Sequence, residues 1–127
     1  DCEIAVVMDT SGSMDSPEFA AAVAEINSIL ETIKPNRIHF IQCDAEIQEY
    51  KIIEDGEPLK SSIKGRGGTD FRPPFELLEE KRVVPHCLLF FSDLYGSFPA
   101  TPPKYPVLWC CTTEQIAPFG ETMRVEL

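Results

Sequence analysis

Three unbroken apolar runs constrain the fold of this chain more than any other feature of its sequence. They cover residues 4–8, 87–91 and 107–111, and each is free of polar residues. A short continuous apolar run is typical of a strand that is covered on both faces, as in the centre of a parallel sheet. The sequence therefore predicts an α/β domain built around a mostly parallel sheet.

The segments between these runs predict two helices. Asp15 and Pro17 have the chemistry of a helix start, and Pro35 predicts that this first helix stops at Lys34. Apolar side chains recur along it at helical spacing and form one stripe: Phe19, Val23, Ile26, Leu30 and Ile33. A second helix is predicted from residue 73 to about residue 81.

Two further strands are predicted at residues 38–43 and 46–53. Only Asp44 and Ala45 lie between them, and so short a link indicates an antiparallel hairpin. Residues 46–53 lack a clean apolar face, which favours an exposed edge strand. Residues 122–127 alternate weakly and predict a last strand.

The two connections after residue 91 have little helical character. Residues 94–105 include three prolines and a glycine, and residues 112–121 leave room for one short turn at most. We therefore expect one face of the sheet to be thinly covered, so that a partner domain could cover it. The loop that contains Phe98 and Tyr105 is expected to pack over a sheet face that lacks its helix, and framing a partner groove is the alternative.

Composition limits the classes of partner and the compartment. The chain has 127 residues, of which 43% are hydrophobic, so one domain over residues 1–127 is expected, as the C-terminal fragment of a longer protein. A formal net charge of −10 disfavours nucleic acid and anionic membranes as partners. No apolar stretch approaches the roughly 18 residues of a membrane span, and no signal peptide precedes the first strand. Five cysteines, four of them within apolar runs, favour a reducing, cytoplasmic location.

Polar oxygen-bearing side chains follow two of the apolar runs and the glycines of a glycine-rich loop at residues 65–70. Asp9, Ser11 and Ser13 come after the first run, Thr69 follows the glycines, and Asp93 comes after the run that ends at residue 91. If those two strands are parallel neighbours, all five side chains reach the carboxyl edge of the sheet, where open α/β folds bind ligands. Hard oxygen ligands of this kind suit Mg²⁺ or Mn²⁺ better than Zn²⁺.

The motifs D-x-S-G-S at Asp9, G-G-T at Thr69 and S-D-L at Asp93 together resemble the metal-ion-dependent adhesion site of von Willebrand factor A (VWA) domains. Asp44 and the segments 65–71 and 90–96 more narrowly resemble the VWA-like domain that forms the C-terminal half of bacterial metallopeptidase-like proteins. The resemblance implies a Rossmann-like, mostly parallel sheet with an antiparallel edge strand and reduced helix content. It also implies that Ser11 and Ser13 bind the metal directly and that Thr69 binds it directly or through water. Asp9 and Asp93 would be the charged members of this ligand set.

The function that this resemblance implies is divalent-metal-dependent binding of a protein that supplies an Asp or Glu to the metal. A MoxR-type AAA+ ATPase is the partner expected from the same resemblance. Two alternatives stay open: a regulatory or substrate-presenting half of a metal-dependent peptidase, and a structural VWA fold without metal. Simpler roles also exist for single residues, since Asp9 and Ser11 suit a turn and Asp70 a helix cap. Asp44, at the end of its predicted strand, suits a hairpin turn, and approach to the same edge of the sheet is the alternative.

Catalytic readings fit the sequence poorly, and the domain is predicted not to be an enzyme. A haloacid-dehalogenase-type phosphatase needs a second Asp where Ser11 stands, and the glycine loop lacks the Lys-Ser/Thr ending of a P-loop. His39 and His86 precede or begin predicted strands, which places both at the edge opposite the serines, away from any Ser-His-Asp arrangement. The motifs H-E-x-x-H and C-x-x-C are absent, which disfavours a zinc site.

Overall fold

The computed structural model describes residues 2–12 and 14–127, and these form one sheet flanked by two helices. The elements, in chain order, are β1 (Glu3–Asp9), α1 (Ser16–Ile33), β2 (Arg37–Cys43), β3 (Ile47–Glu54), α2 (Arg72–Glu80), β4 (Cys87–Ser92), β5 (Val107–Cys111) and β6 (Glu121–Arg124). The six strands lie in the order β3-β2-β1-β4-β5-β6. Every neighbouring pair is parallel except β2 and β3, which form an antiparallel hairpin at the edge. The predicted α/β architecture is confirmed.

Helix α1 begins and ends where its sequence signals place it. The Asp15 side chain accepts a hydrogen bond from the N–H of Glu18 at 2.8 Å, which satisfies one of the free donors of the first turn. At the other end Lys34 adopts a left-handed conformation with φ +50°, directly before Pro35. The predicted apolar stripe packs on the sheet as far as Leu30, but Ile33 is 45% exposed.

Alternation along β1 divides the core between the two faces of the sheet. One face is covered by α1, which packs on Ile4, Val6 and Met8. The other face is covered by α2, where Ala5 and Val7 lie in one cluster with Phe75 and Leu78. Because side chains on both faces of β1 are buried, the strand has the continuous apolar sequence from which it was predicted.

The second face is completed by the two connections that lack helices. An aromatic cluster forms around the fully buried Trp109 of β5. Phe98, from the β4–β5 connection, lies 5.2 Å from the Trp109 ring, and Phe119, from the β5–β6 connection, lies 5.6 Å from it. The Trp109 Nε1–H also donates to the Phe119 carbonyl at 3.0 Å. This confirms that the Phe98 loop packs over the face. The expected thin cover is not found around the buried Trp109, although Tyr95 and Ile116 of the same two connections are exposed.

The cysteines act as apolar side chains in this fold. All five are free thiols; Cys43, Cys110 and Cys111 are buried, and Cys2 and Cys87 are half-buried. Burial raises the pKa of Cys43 and of Cys110 to about 12, so neither thiol ionises readily. Across residues 2–12 and 14–127, neither helix has the length and apolar character to cross a membrane.

Candidate metal site at the carboxyl edge of the sheet

Asp9 is a buried carboxylate at the end of the central strand β1. It is 2% exposed, and its Oδ1 accepts a hydrogen bond from the Ser11 N–H at 2.9 Å. Its Oδ2 accepts a second one from the Ser92 hydroxyl at 2.6 Å. Burial raises the pKa of Asp9, and the nearby charge of Asp93 acts in the same direction. The folded chain therefore holds the Asp9 proton more tightly than the unfolded chain does, and ionisation of Asp9 costs stability as the pH rises.

No cation of the chain compensates this charge in the part of the molecule that the structure describes, since none of its ion pairs involves Asp9. Ser11 is 3% exposed and hydrogen-bonds through its side chain to Asp9, which opposes the effect of burial on the Asp9 pKa. Ser13, the third predicted ligand of this loop, lies outside the described residues, and its role stays a prediction.

Asp93 reaches the same edge from β4, because β1 and β4 are parallel neighbours in register from Ile4 opposite Cys87 to Met8 opposite Phe91. Its Oδ1 accepts a hydrogen bond from the Tyr95 N–H at 3.0 Å. The next residue, Leu94, is buried with φ +67°, a conformation that costs an ordinary side chain energy. Its N–H donates to the Ser92 hydroxyl at 2.9 Å, so Ser92 joins the β4 loop to Asp9.

The glycine-rich loop lies directly against the β1 loop. The Arg66 N–H donates to the Thr10 carbonyl at 2.8 Å, and the Gly12 N–H donates to the Gly67 carbonyl at 3.2 Å. Thr69, the predicted ligand of this loop, is half-buried, and its Cγ2 lies 2.8 Å from the place where a Cβ on Gly96 would stand. Gly96 belongs to the loop after Asp93, so the loops that carry Thr69 and Asp93 are in contact. The structure thus brings together the loops of four predicted ligands: Asp9, Ser11, Thr69 and Asp93.

Asp44 has a larger role than the hairpin turn that its sequence position suggests. It is 6% exposed, and its Oδ1 accepts hydrogen bonds from the Glu46 N–H and the Gln48 amide, each at 3.0 Å. Its Oδ2 accepts one from the Gly67 N–H at 2.9 Å. Although burial acts to raise the pKa of Asp44, these hydrogen bonds hold it below its ordinary value. Asp44 therefore fastens the glycine loop to the β2–β3 hairpin as a carboxylate.

Thr10 was not among the predicted site residues. Its Oγ1 is buried without a hydrogen-bond partner among the described residues, and it lies 2.8 Å from the place where a Cβ on Gly65 would stand. Thr10 and Asp44 share one sequence feature that could have identified them as residues of this edge. Each follows a strand that ends at this edge, and two glycines of the facing loop leave them room.

The donor set is made of oxygen atoms. Two carboxylates, from Asp9 and Asp93, and two hydroxyls, from Ser11 and Thr69, suit a hard divalent cation such as Mg²⁺ or Mn²⁺. Asp70 is not part of the set, because its carboxylate pairs with the Arg72 guanidinium at 2.8 Å and accepts the Arg72 N–H. Over residues 2–12 and 14–127 no group of three or more His, Cys, Asp or Glu side chains could hold a metal ion.

Both histidines lie away from this edge, as their sequence positions predict. His39, on β2 opposite Ala5, is buried, with its Nδ1 2.7 Å from the Tyr50 hydroxyl. The His86 Nδ1 accepts the N–H of Glu3, the residue that opens β1. Neither imidazole is therefore placed to act as a base toward Ser11.

A comparison with curated proteins gives no match to this chain. Among solved structures, the chain is similar to the crystal structure of the ArnB paralog VWA2 from Sulfolobus acidocaldarius, with a TM-score of 0.68 and 17% sequence identity. The similarity covers 87% of this chain and 34% of that one, so the chain spans about a third of the length of its structural relative. At this identity the likeness shows the fold alone.

The sequence also matches the family described as VWA-like domain (DUF2201) over residues 4–126. VWA-like domains are generally non-catalytic. The chain belongs to the VWA-like domain family DUF2201.

Proposed function

We propose that this domain binds another protein through a divalent cation held at the carboxyl edge of its sheet. The observation that carries the proposal is the buried Asp9 carboxylate, which lies close to Asp93 and has no cation of the chain beside it in the described structure. A buried, unpaired carboxylate is costly, and a bound divalent cation would offset that cost. Ser11, Ser13 and Thr69 would supply neutral oxygen ligands beside the two aspartates.

The chemistry of this ligand set favours recognition over turnover. Mg²⁺ prefers octahedral oxygen coordination and keeps several waters, so a site with few direct carboxylates leaves the cation able to accept one more. We infer that a partner protein supplies that ligand from an Asp or Glu side chain. A MoxR-type AAA+ ATPase as the partner, and a metallopeptidase-like region elsewhere in the parent protein, stay predictions from the resemblance of the motifs.

Metal titration of this domain, read by its melting temperature, tests the site. Binding to the folded state at 100 times Kd adds about 2.7 kcal/mol, or roughly 10 °C in a domain of this size. We expect Mg²⁺ and Mn²⁺ to raise the melting temperature of the wild type but not of Asp9→Asn or Ser11→Ala. Asp55→Asn is the matched control, because it removes the same charge from an exposed turn after β3. If metal leaves the melting temperature of each of the four proteins unchanged, the metal site is refuted and the alternative of a structural VWA fold without metal remains.

A second experiment tests the binding role. The immobilised domain is offered to proteins of its host in Mg²⁺ and again with a chelator, beside Asp93→Ala. A retained partner should be released by the chelator and absent from the variant. An interaction indifferent both to chelator and to Asp93→Ala contradicts metal-dependent recognition.

A further inference from the structure

Arg66 lies beside the proposed metal site, held there by its backbone. Its N–H donates to the Thr10 carbonyl at 2.8 Å, and its carbonyl oxygen is 3.6 Å from the place where a Cβ on Gly12 would stand. The main chain of Arg66 is thus hydrogen-bonded to one neighbour of Ser11, the buried serine of the ligand set, and lies near the other. Its side chain is exposed to solvent.

The backbone conformation at Arg66 suits glycine better than arginine. Its φ is +82°, in the left-handed region, and it follows Gly65 at φ +113° and precedes Gly67. A side chain in this region costs of order 1–2 kcal/mol, and glycine has no such penalty. Residues of this kind persist where the surrounding structure holds them in place, and they cluster at binding and switch sites.

The charge of Arg66 also has no ion-pair partner among the described residues. The two neighbouring cations of the segment are paired, Lys64 with Glu49 at 3.1 Å and Arg72 with Asp70 at 2.8 Å. Arg66 forms no ion pair with any residue in 2–12 or 14–127, although the chain has a formal net charge of −10. An exposed guanidinium in so acidic a domain is a ready partner for a carboxylate, which it can hold by two parallel hydrogen bonds.

We propose that Arg66 binds a second carboxylate of the partner, next to the one that reaches the metal. This inference rests on the proposed function and names the partner chemistry: a short segment with two closely spaced Asp or Glu residues. A long polyanion is disfavoured, because a domain with a formal net charge of −10 repels it at every further charge. Arg66 then selects among acidic segments, and the metal supplies the common attachment.

Two short peptides test this by NMR titration of the labelled domain in saturating Mg²⁺. They are acetyl-Gly-Glu-Gly-Glu-Gly-amide and the version whose first Glu is Gln. We expect the wild type to bind the two-carboxylate peptide about fivefold tighter, as a bidentate pair at an exposed site allows. Arg66→Gly should lose this preference, apart from the statistical advantage of two carboxylates that can each reach the metal. It should keep its Mg²⁺ affinity and melt no lower than the wild type, because glycine accepts the conformation.

Arg82→Gly is the matched control. Arg82 is also exposed and left-handed, with φ +57°, but it lies between α2 and β4 at the opposite edge of the sheet. This variant should keep the fivefold preference. The full fivefold preference retained in Arg66→Gly, or equal binding of the two peptides by the wild type, overturns the role of Arg66. If Mg²⁺ raises the melting temperature and neither peptide binds, this inference fails and the metal site stands; if Mg²⁺ has no effect, the proposed function fails first.

Discussion

Replacing Asp44 tests whether a buried carboxylate organises the loops at the candidate site. The Asp44 carboxylate accepts three hydrogen bonds, from the Glu46 N–H, the Gln48 amide and the Gly67 N–H. Asp44→Ala leaves three donors without an acceptor in a region where Asp44 itself is 6% exposed. At about 1 kcal/mol for each lost hydrogen bond, we expect the free energy of unfolding to fall by about 3 kcal/mol.

Asp44→Asn removes the charge of the side chain and keeps its shape, so it tests the two contributions separately. The asparagine oxygen can keep the two donors of the hairpin, but its NH₂ group then faces the Gly67 N–H, donor against donor. We expect a loss of about 1.5 kcal/mol, half of that for alanine, concentrated in the contact between hairpin and glycine loop. Hydrogen exchange at Gly67 should rise more than exchange in β1.

Urea denaturation of the metal-free proteins measures these values, with Asp55→Asn expected within about 0.5 kcal/mol of the wild type. The contribution of Asp44 to the free energy of unfolding changes with pH in one direction. Because the folded-state pKa of Asp44 is lowered, its contribution is complete above the ordinary pKa of 3.8 and is lost as the pH falls below that value. The difference in free energy of unfolding between the wild type and Asp44→Asn should therefore become smaller in acid. A cost under about 1 kcal/mol for Asp44→Ala, or a difference that becomes larger in acid, refutes the reasoning.

Two further substitutions test the packing near the site and the buried polar group away from it. Gly96→Ala places a Cβ 2.8 Å from Thr69 Cγ2 and 2.9 Å from Phe71 Cζ. We expect the free energy of unfolding, measured by urea denaturation, to fall by about 1–3 kcal/mol and Mg²⁺ binding to weaken. Wild-type values for both would contradict the close approach. Tyr50→Phe removes the hydroxyl that lies 2.7 Å from the Nδ1 of buried His39. We expect the free energy of unfolding to fall by about 1–2 kcal/mol while the Mg²⁺ affinity stays unchanged. A parallel loss of Mg²⁺ affinity would refute the separation of the two regions.

The strands were predictable because burial on both faces leaves a simple pattern. Each apolar run lies within an observed strand, and the third run, residues 107–111, has the bounds of β5. The differences lie at element ends, where local preference is weak: β6 ends at Arg124, three residues before the predicted end, and α2 begins at Arg72, one residue early. Parallel pairing of β1 with β4 then placed Asp9 and Asp93 at one edge, as the sequence predicted.

The function of Asp44 was not predictable from its neighbours in sequence. Locally it looks like a turn residue, and it does accept the Glu46 N–H within the hairpin. Its contact with Gly67 spans 23 residues and depends on how the glycine loop crosses the edge of the sheet. Hydrophobic periodicity carries no information about such a loop, because its position is fixed by hydrogen bonds to other loops.

The aromatic cluster beneath the site connects the unusual crossovers with the geometry of the ligands. Phe71 comes two residues after Thr69, and its ring packs on Phe98 at 4.9 Å and on Trp109 at 5.9 Å. Its N–H donates to the Ser97 carbonyl at 2.9 Å, in the loop that follows Asp93. Packed aromatic side chains resist displacement because any gap forfeits their contacts. The β4–β5 loop, which begins at Asp93 and contains no helix, therefore holds the Thr69 loop in place against Asp93, as a preorganised ligand set requires.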